Sequence, residues 1–334
     1  MFSLGTLSLL TIFVLLNYCP TARAQDAVLK QEVKQIEKSK MGWNPTAKIG
    51  VNASFSSSNN VVGKPDGSNE TYGVDIKGSY DFSDERSEWR NSLSYAGGFS
   101  KTLIQPRYIK STDLLKAESL YLYTFADFSK VGSYVKVSGS APLFFGEDVR
   151  ASETTYNIKR SNNSMSTYTG STLKLTDGFK PLTTRESTGA FWKAFNDGNV
   201  KIEVRLGIGA EQTMADGQLS VSGVDSNGSI TVKELRSLSQ LGVEAGLTGK
   251  GQINETTGWE IGVETLTPFV SNKETSDDRD PFRLTNIDGL AKLSSNITSW
   301  ASVSYDYKAT IKPQLIDRTQ QSHMLVLSVN YNLF

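Results

Sequence analysis

Few residues in this chain have the type and spacing that chemistry needs. His323 is the only histidine, so a hydrolase built on a serine, a histidine and an acid or amide would have to use it. No pattern around it marks an activated serine, and its expected place is the rim at the start of the last strand, so the expectation is that the chain is not an enzyme. Asp225-Ser226-Asn227-Gly228-Ser229-Ile230 followed by Glu234 has the composition of a calcium loop without its spacing. Such a loop wants glycine and a bidentate glutamate roughly six and twelve positions along, whereas Glu234 is tenth from Asp225. A polar hairpin tip is the simpler reading. Gly249-Lys250-Gly251 lacks both the earlier glycine and the following Ser or Thr of a phosphate loop. No metal and no cofactor are expected.

What remains is a set of charged residues recurring at every second position of long alternating stretches: Asp75, Lys77, Glu88, Arg90, Lys136, Lys201, Glu203, Arg205, Glu260, Glu264, Lys292, Asp306 and Lys308. Asp81, Lys116, Glu118, Glu244 and Asp288 belong to the same face. Both signs are interspersed. If this face lines a lumen, no strong single-sign ion selectivity follows. Alternatively, such residues pair across the lumen and close it.

The elements that carry these charges are strands. Ala47, Ile49, Val51, Ala53 and Phe55 alternate with Lys48, Asn52, Ser54 and Ser56. Tyr72 to Phe82, Val200 to Glu211 and Ala301 to Ala309 repeat the period of two. Alternation this long suits a strand crossing a bilayer at a tilt, which takes about 9 to 11 residues. Connections alternate between short (Ser83 to Ser87, Asn196 to Asn199, Asn254 to Thr257, Ser295 to Thr298) and long (Ser57 to Glu70, Lys101 to Asp113, Ser271 to Pro281, Ile311 to Ser322). Short turns on one side and long loops on the other imply an all-β, antiparallel transmembrane barrel of about 12 strands, within a range of about 10 to 14, with both termini on the short-turn side. Thr154 to Lys159 with Met165 to Leu175, and Leu219 to Thr231, are expected to be external hairpins outside the wall.

Residues 1–24 read as a cleaved signal peptide, with an apolar run around Leu9 to Leu16 and a small-x-small site at Ala22-Arg23-Ala24. Cleavage there removes the only cysteine, Cys19. Residues 25–45 read as a short helix on one face of Val28, Leu29, Val33 and Ile36, then a linker broken at Pro45. Residues 46–334 would form the barrel. Lys plus Arg and Asp plus Glu are equal at 35 each, so no nucleic-acid partner is implied. Mean hydropathy is negative, which does not argue against a membrane when only alternate residues face lipid.

The chain closes on Leu325, Leu327, Val329, Tyr331 and Leu333 alternating with Ser328, Asn330 and Asn332, then Phe334. Tyr331-Asn332-Leu333-Phe334 resembles the C-terminal assembly signal of Gram-negative outer-membrane β-barrel proteins, a porin-like and poorly characterised class. The apolar set is one residue out of register with Phe334, which leaves open a bulge near the end or a variant signal. The resemblance implies a bacterial outer-membrane location and, as partners, outer-membrane lipid and the barrel-assembly machinery. It carries over no site residues. Between Leu114 and Phe128 both faces are apolar: Leu120 and Leu122 on one, Tyr121, Tyr123 and Phe125 on the other. That is expected where the N-terminal helix packs, or where the wall meets lipid or another subunit of a homo-oligomer. The five tryptophans, Trp43, Trp89, Trp192, Trp259 and Trp300, lie near strand ends, as an interfacial girdle would. Two functions are expected of such a barrel: a passive channel with a mixed-charge lumen, or a closed, oligomeric, lipid-holding structural barrel. A barrel hydrolase stands third.

Overall fold

The computed structural model describes residues 41–58, 67–102, 107–272, 280–298, 301–314 and 316–332. The expected signal peptide and N-terminal helix lie outside these, as do Trp300, Leu333 and Phe334. The strands are β1 (Gly42–Ser58), β2 (Gly67–Ser83), β3 (Ser87–Lys101), β4 (Ile109–Thr124), β5 (Val131–Ala141), β6 (Gly146–Lys159), β7 (Met165–Thr176) and β8 (Leu182–Asn196). They continue with β9 (Val200–Met214), β10 (Leu219–Val224), β11 (Ile230–Glu234), β12 (Leu238–Gln252), β13 (Thr257–Ser271), β14 (Asn286–Asn296), β15 (Ala301–Lys312) and β16 (Ile316–Asn332).

Among the described residues the wall is a closed antiparallel barrel in the order β1-β16-β15-β14-β13-β12-β9-β8-β5-β4-β3-β2. The β1–β2 ladder is paired from Gly42 to Ser58, and among the described residues the closing β1–β16 ladder runs from Lys48 to Val51. β1 begins at Gly42, inside the expected linker. Among the described residues, Pro45 lies beyond the part of β1 paired with β16, so its missing N–H breaks no described bond on that side.

Side-chain caps make the short turns. The Asp84 carboxylate accepts from the Arg86 and Ser87 amides at 2.8 and 2.7 Å, and Asp197 accepts from Val200 at 3.0 Å. Asn254 accepts from Thr256 and Thr257 at 3.0 and 2.7 Å, and Thr298 accepts from Ala301 at 3.0 Å. Local acceptors of this kind satisfy amides that the ladder has released. At the other end the expected long loop from Ile311 to Ser322 is corrected: β15 reaches Lys312 and β16 starts at Ile316. His323 consequently lies within β16, paired with Tyr307, and not at its start.

The wall inverts the pattern of a water-soluble protein. On β5 and β9, Lys136 and Arg205 are 2% and 4% exposed, while Val135 and Leu206 between and beside them are 52% and 60% exposed. Charged groups inside and bare aliphatic groups outside are stable only where the outer solvent is hydrocarbon. The described tryptophans, Trp43, Trp89, Trp192 and Trp259, all occupy outward positions near the short-turn end. Trp43 stacks on Tyr80 at 4.4 Å and lies 5.8 Å from Trp89.

β6, β7, β10 and β11 leave the wall and form a separate sheet in the order β10-β11-β6-β7. The two hairpins expected from sequence are therefore one unit, joined by parallel pairing of Ile230–Lys233 with Tyr156–Lys159. Its core is conventional: Tyr156, Ile158, Leu219, Ile230 and Val232, with Leu173, Leu175 and Val221 packed against them. Asp113 on β4 ties the rim to the start of this unit by accepting from the Leu143 and Phe144 amides at 2.9 and 2.8 Å.

Candidate functional site in the barrel interior

Glu264 on β13 is the hub of the interior. One of its oxygens accepts from Lys136 Nζ at 2.5 Å and from Arg205 at 3.0 Å; the other lies 3.9 Å from Arg185. Lys136 stands on β5, separated from β13 in the wall by β8, β9 and β12, so this ion pair spans the lumen. Arg185 on β8 donates to Glu244 at 2.8 Å and lies 3.8 Å from Asp288 on β14. Ser187 completes Glu244 at 2.9 Å. Lys312 on β15 reaches Glu211 on β9 at 2.9 Å, again across the barrel. Beside it Asn286 donates to Gln240 at 2.7 Å, and Gln240 to Gln314 at 2.6 Å.

Glycines keep lanes open for these long side chains. Gly246 lies in register between Arg205 on β9 and Glu264 on β13, and it has no side chain to block the arginine crossing over β12. A Cβ on Gly209 would sit 2.9 Å from the Glu244 carboxylate that reaches toward Arg185. Such lanes let a network cross intervening strands, and its members are buried: Glu244 is 1% and Glu211 3% exposed. Buried ions persist only when paired and hydrogen-bonded, and removing one partner costs about 3–5 kcal/mol.

Toward the short-turn end, Arg90 on β3 bonds Glu88 at 2.6 Å and reaches Glu203 on β9 at 3.2 Å. Lys193 on β8 also bonds Glu88. Lys201, Glu260, Lys292 and Asp306 lie on the same inner face, in register with one another through Lys250. Asp75, Lys77 and Lys308 are half-buried, each with contacts of its own. Thus the expected inward residues share one interior, and the structure gathers Lys136, Glu203, Arg205 and Glu264 into the cross-lumen network.

The two apolar faces of β4 separate. Leu120 and Leu122 point inward and are buried with Tyr134 and Phe191, while Tyr121, Tyr123 and Phe125 are exposed on the outer side. Leu120 and Leu122 are thereby corrected as lipid or subunit contacts: the barrel's own side chains cover them. Tyr331 pairs through its backbone with Ile49; its side chain, like Leu333 and Phe334, lies outside the described residues.

Sequence reasoning missed Arg185, which it gave to no strand, and Lys312, which it placed in a loop, and left Glu211, Gln240 and Asn286 without a role. The available signal was the alternation of Thr183, Arg185, Ser187 and Gly189, which continues the inner face of β8. Among the described residues, no group of three or more His, Cys, Asp or Glu side chains is placed to hold a metal ion.

No protein-family model matches the chain, and no curated protein matches it. Solved structures share its barrel shape at low identity. An outer membrane channel from Pseudomonas putida F1 is 10% identical with a TM-score of 0.42, covering 91% of this chain and 99% of that one. The translocator domain of the autotransporter NalP from Neisseria meningitidis is 9% identical with a TM-score of 0.37, covering 89% and 90%. The Pseudomonas putida toluene transporter TodX is 8% identical with a TM-score of 0.33, covering 88% and 89%.

Proposed function

We propose that the chain is a twelve-strand bacterial outer-membrane barrel, with both termini periplasmic, that passes small polar solutes passively through a narrow, one-sided lumen and is not an enzyme. One observation carries this reading: burial across the interior is uneven. Lys136, Arg185, Glu211, Glu244 and Glu264 on β5, β8, β9, β12 and β13 are buried in ion pairs, whereas Lys48, Asn52, Asp75 and Lys77 on β1 and β2, which have contacts of their own, are half-buried. A path along the β1–β2 wall is polar and lined by both charges, and the network on the opposite wall holds it narrow.

Planar-bilayer recording tests it. Folded full-length protein should give small, discrete conductance steps, and Glu264→Ala with Arg185→Ala should enlarge them. Absence of steps in wild type and variant, from protein shown to be folded by heat-modifiable mobility, would overturn the reading. The outward aromatics Tyr121, Tyr123 and Phe125 on β4 favour a second reading, a non-conducting homo-oligomer that holds lipid at this wall. Phospholipid retained through purification, and a stable oligomer lost in a Tyr121→Ser, Tyr123→Ser variant, would support that reading instead.

A further inference from the structure

The inner row Lys201, Lys250, Glu260, Lys292, Asp306 crosses β9, β12, β13, β14 and β15 with each residue directly opposite the next. Its first two members are like charges facing each other on adjacent strands, which is unfavourable unless something negative sits between them. The surrounding acids do not fill that place. Glu88 is held by Arg90 and Lys193, and Glu203 by Arg90 at 3.2 Å with Arg205 at 3.7 Å. Glu88, Arg90 and Lys193 all act on Lys201 electrostatically, so one acid and two bases surround it. Among the described residues neither Lys201 nor Lys250 makes an ion pair or a side-chain hydrogen bond. Lys250 stands in register between Lys201 and Glu260 and bonds to neither. Glu260 is 5% exposed, and its Oε2 has no hydrogen-bond partner.

We propose that Lys201 and Lys250 form an anion subsite at the short-turn mouth of the lumen, taking the carboxylate or phosphate group of a small solute. The inference rests on the passage reading, because a solute must be able to enter the lumen to reach the pair. Two ammonium groups carried by directly opposed residues on neighbouring strands can both donate to one anionic group. Glu260, unpaired on the far side of Lys250, bounds the subsite: it accepts from a hydroxyl or ammonium on the solute and repels a second anionic group. The mixed charge of the lumen thus conceals a local surplus, since Glu88 and Glu203 are already held by Arg90, Arg205 and Lys193 and Glu260 alone faces Lys250.

Titration calorimetry on folded full-length protein in detergent tests this, with inorganic phosphate and sodium lactate as separate probes. Binding of either probe, weakened at least tenfold in Lys201→Gln with Lys250→Gln, is the expected result, and the probe that binds more tightly identifies the group preferred. Lys116→Gln is the control, because Lys116 is already paired with Glu118 at 2.9 Å; its affinity should equal wild type. Glu260→Gln should tighten binding severalfold. No heat of binding with either probe, or equal affinity in the double variant confirmed folded by heat-modifiable mobility, would overturn the subsite. Conductance separates the two readings: channels that conduct without binding either probe sink the subsite alone, and binding without conductance sinks the passage alone.

Discussion

The barrel interior and the small sheet of β6, β7, β10 and β11 bury opposite kinds of residue within one chain. The barrel encloses Lys136, Arg185, Glu244 and Glu264 and turns Val135, Leu206 and Ile208 outward, whereas the sheet encloses Tyr156, Ile158, Ile230 and Val232. Strand geometry is the same in both. The difference lies in the solvent each outer face meets: hydrocarbon around the wall, water around the sheet. Where the pattern of burial reverses along the chain, between β5 and β6 and again between β9 and β10, the chain leaves the membrane.

The comparison is broken most severely by removing a charge from the barrel interior. Glu264→Ala leaves Lys136, Arg205 and Arg185 short of their shared acid and should cost about 3–5 kcal/mol, read by urea unfolding from lipid vesicles. A loss under about 1 kcal/mol would put those pairs at the level of solvated surface ion pairs. Next comes the outer face: Leu206→Arg should destabilise insertion by about 2–4 kcal/mol if that position lies near the bilayer midplane. An unchanged midpoint would place Leu206 in water. In the sheet, Ile230→Ala removes a core side chain and should cost about 2 kcal/mol locally. It should speed proteolysis within 146–176 and 219–234 and leave the barrel's heat-modifiable mobility as it is; loss of that mobility would mean that barrel and sheet fold as one unit.

The smallest effect concerns the water-facing rim. Amides of Arg86 and Ser87 hold the Asp84 carboxyl below its ordinary value of 3.8. A carboxyl lowered in this way contributes to the folded turn above its unfolded value, and the contribution is lost as pH falls through the lower folded one. The Ser87 amide resonance should therefore shift with an inflection below 3.8. An inflection at or above that value would mean that the cap does not form.

Legibility followed the same division. Period-two alternation marked the wall strands and the inward face of Lys201, Glu203 and Arg205, because that pattern is local. The poor hydrocarbon face that Met165 to Leu175 would present placed the first extramural hairpin outside the wall, and the turn at Asp225-Ser226-Asn227-Gly228 placed the second. Their union was hidden, since parallel pairing of β11 with β6 joins segments far apart in sequence. Arg185 was given to no strand and Lys312 was read as loop because strands projecting beyond the bilayer no longer need an apolar outer face. Leu120 and Leu122 seemed to need a foreign partner; Tyr134 on β5 and Phe191 on β8 supply it.

The sequence by itself determined the class of solvent each face can tolerate, the turn chemistry at Asp84, Asp197 and Asn254, and the set of charges that point inward. Each depends on residues within a few positions of one another. Only the tertiary structure decided which of those charges meet. Lys136 finds Glu264, and Lys312 finds Glu211, because the wall closes and brings strands four places apart into facing positions. Gly246 and Gly209 matter because they leave lanes between such partners. Charge sign is a property of the residue, but pairing is a property of the closed barrel, and pairing is what leaves Lys201 and Lys250 facing each other without an acid between them.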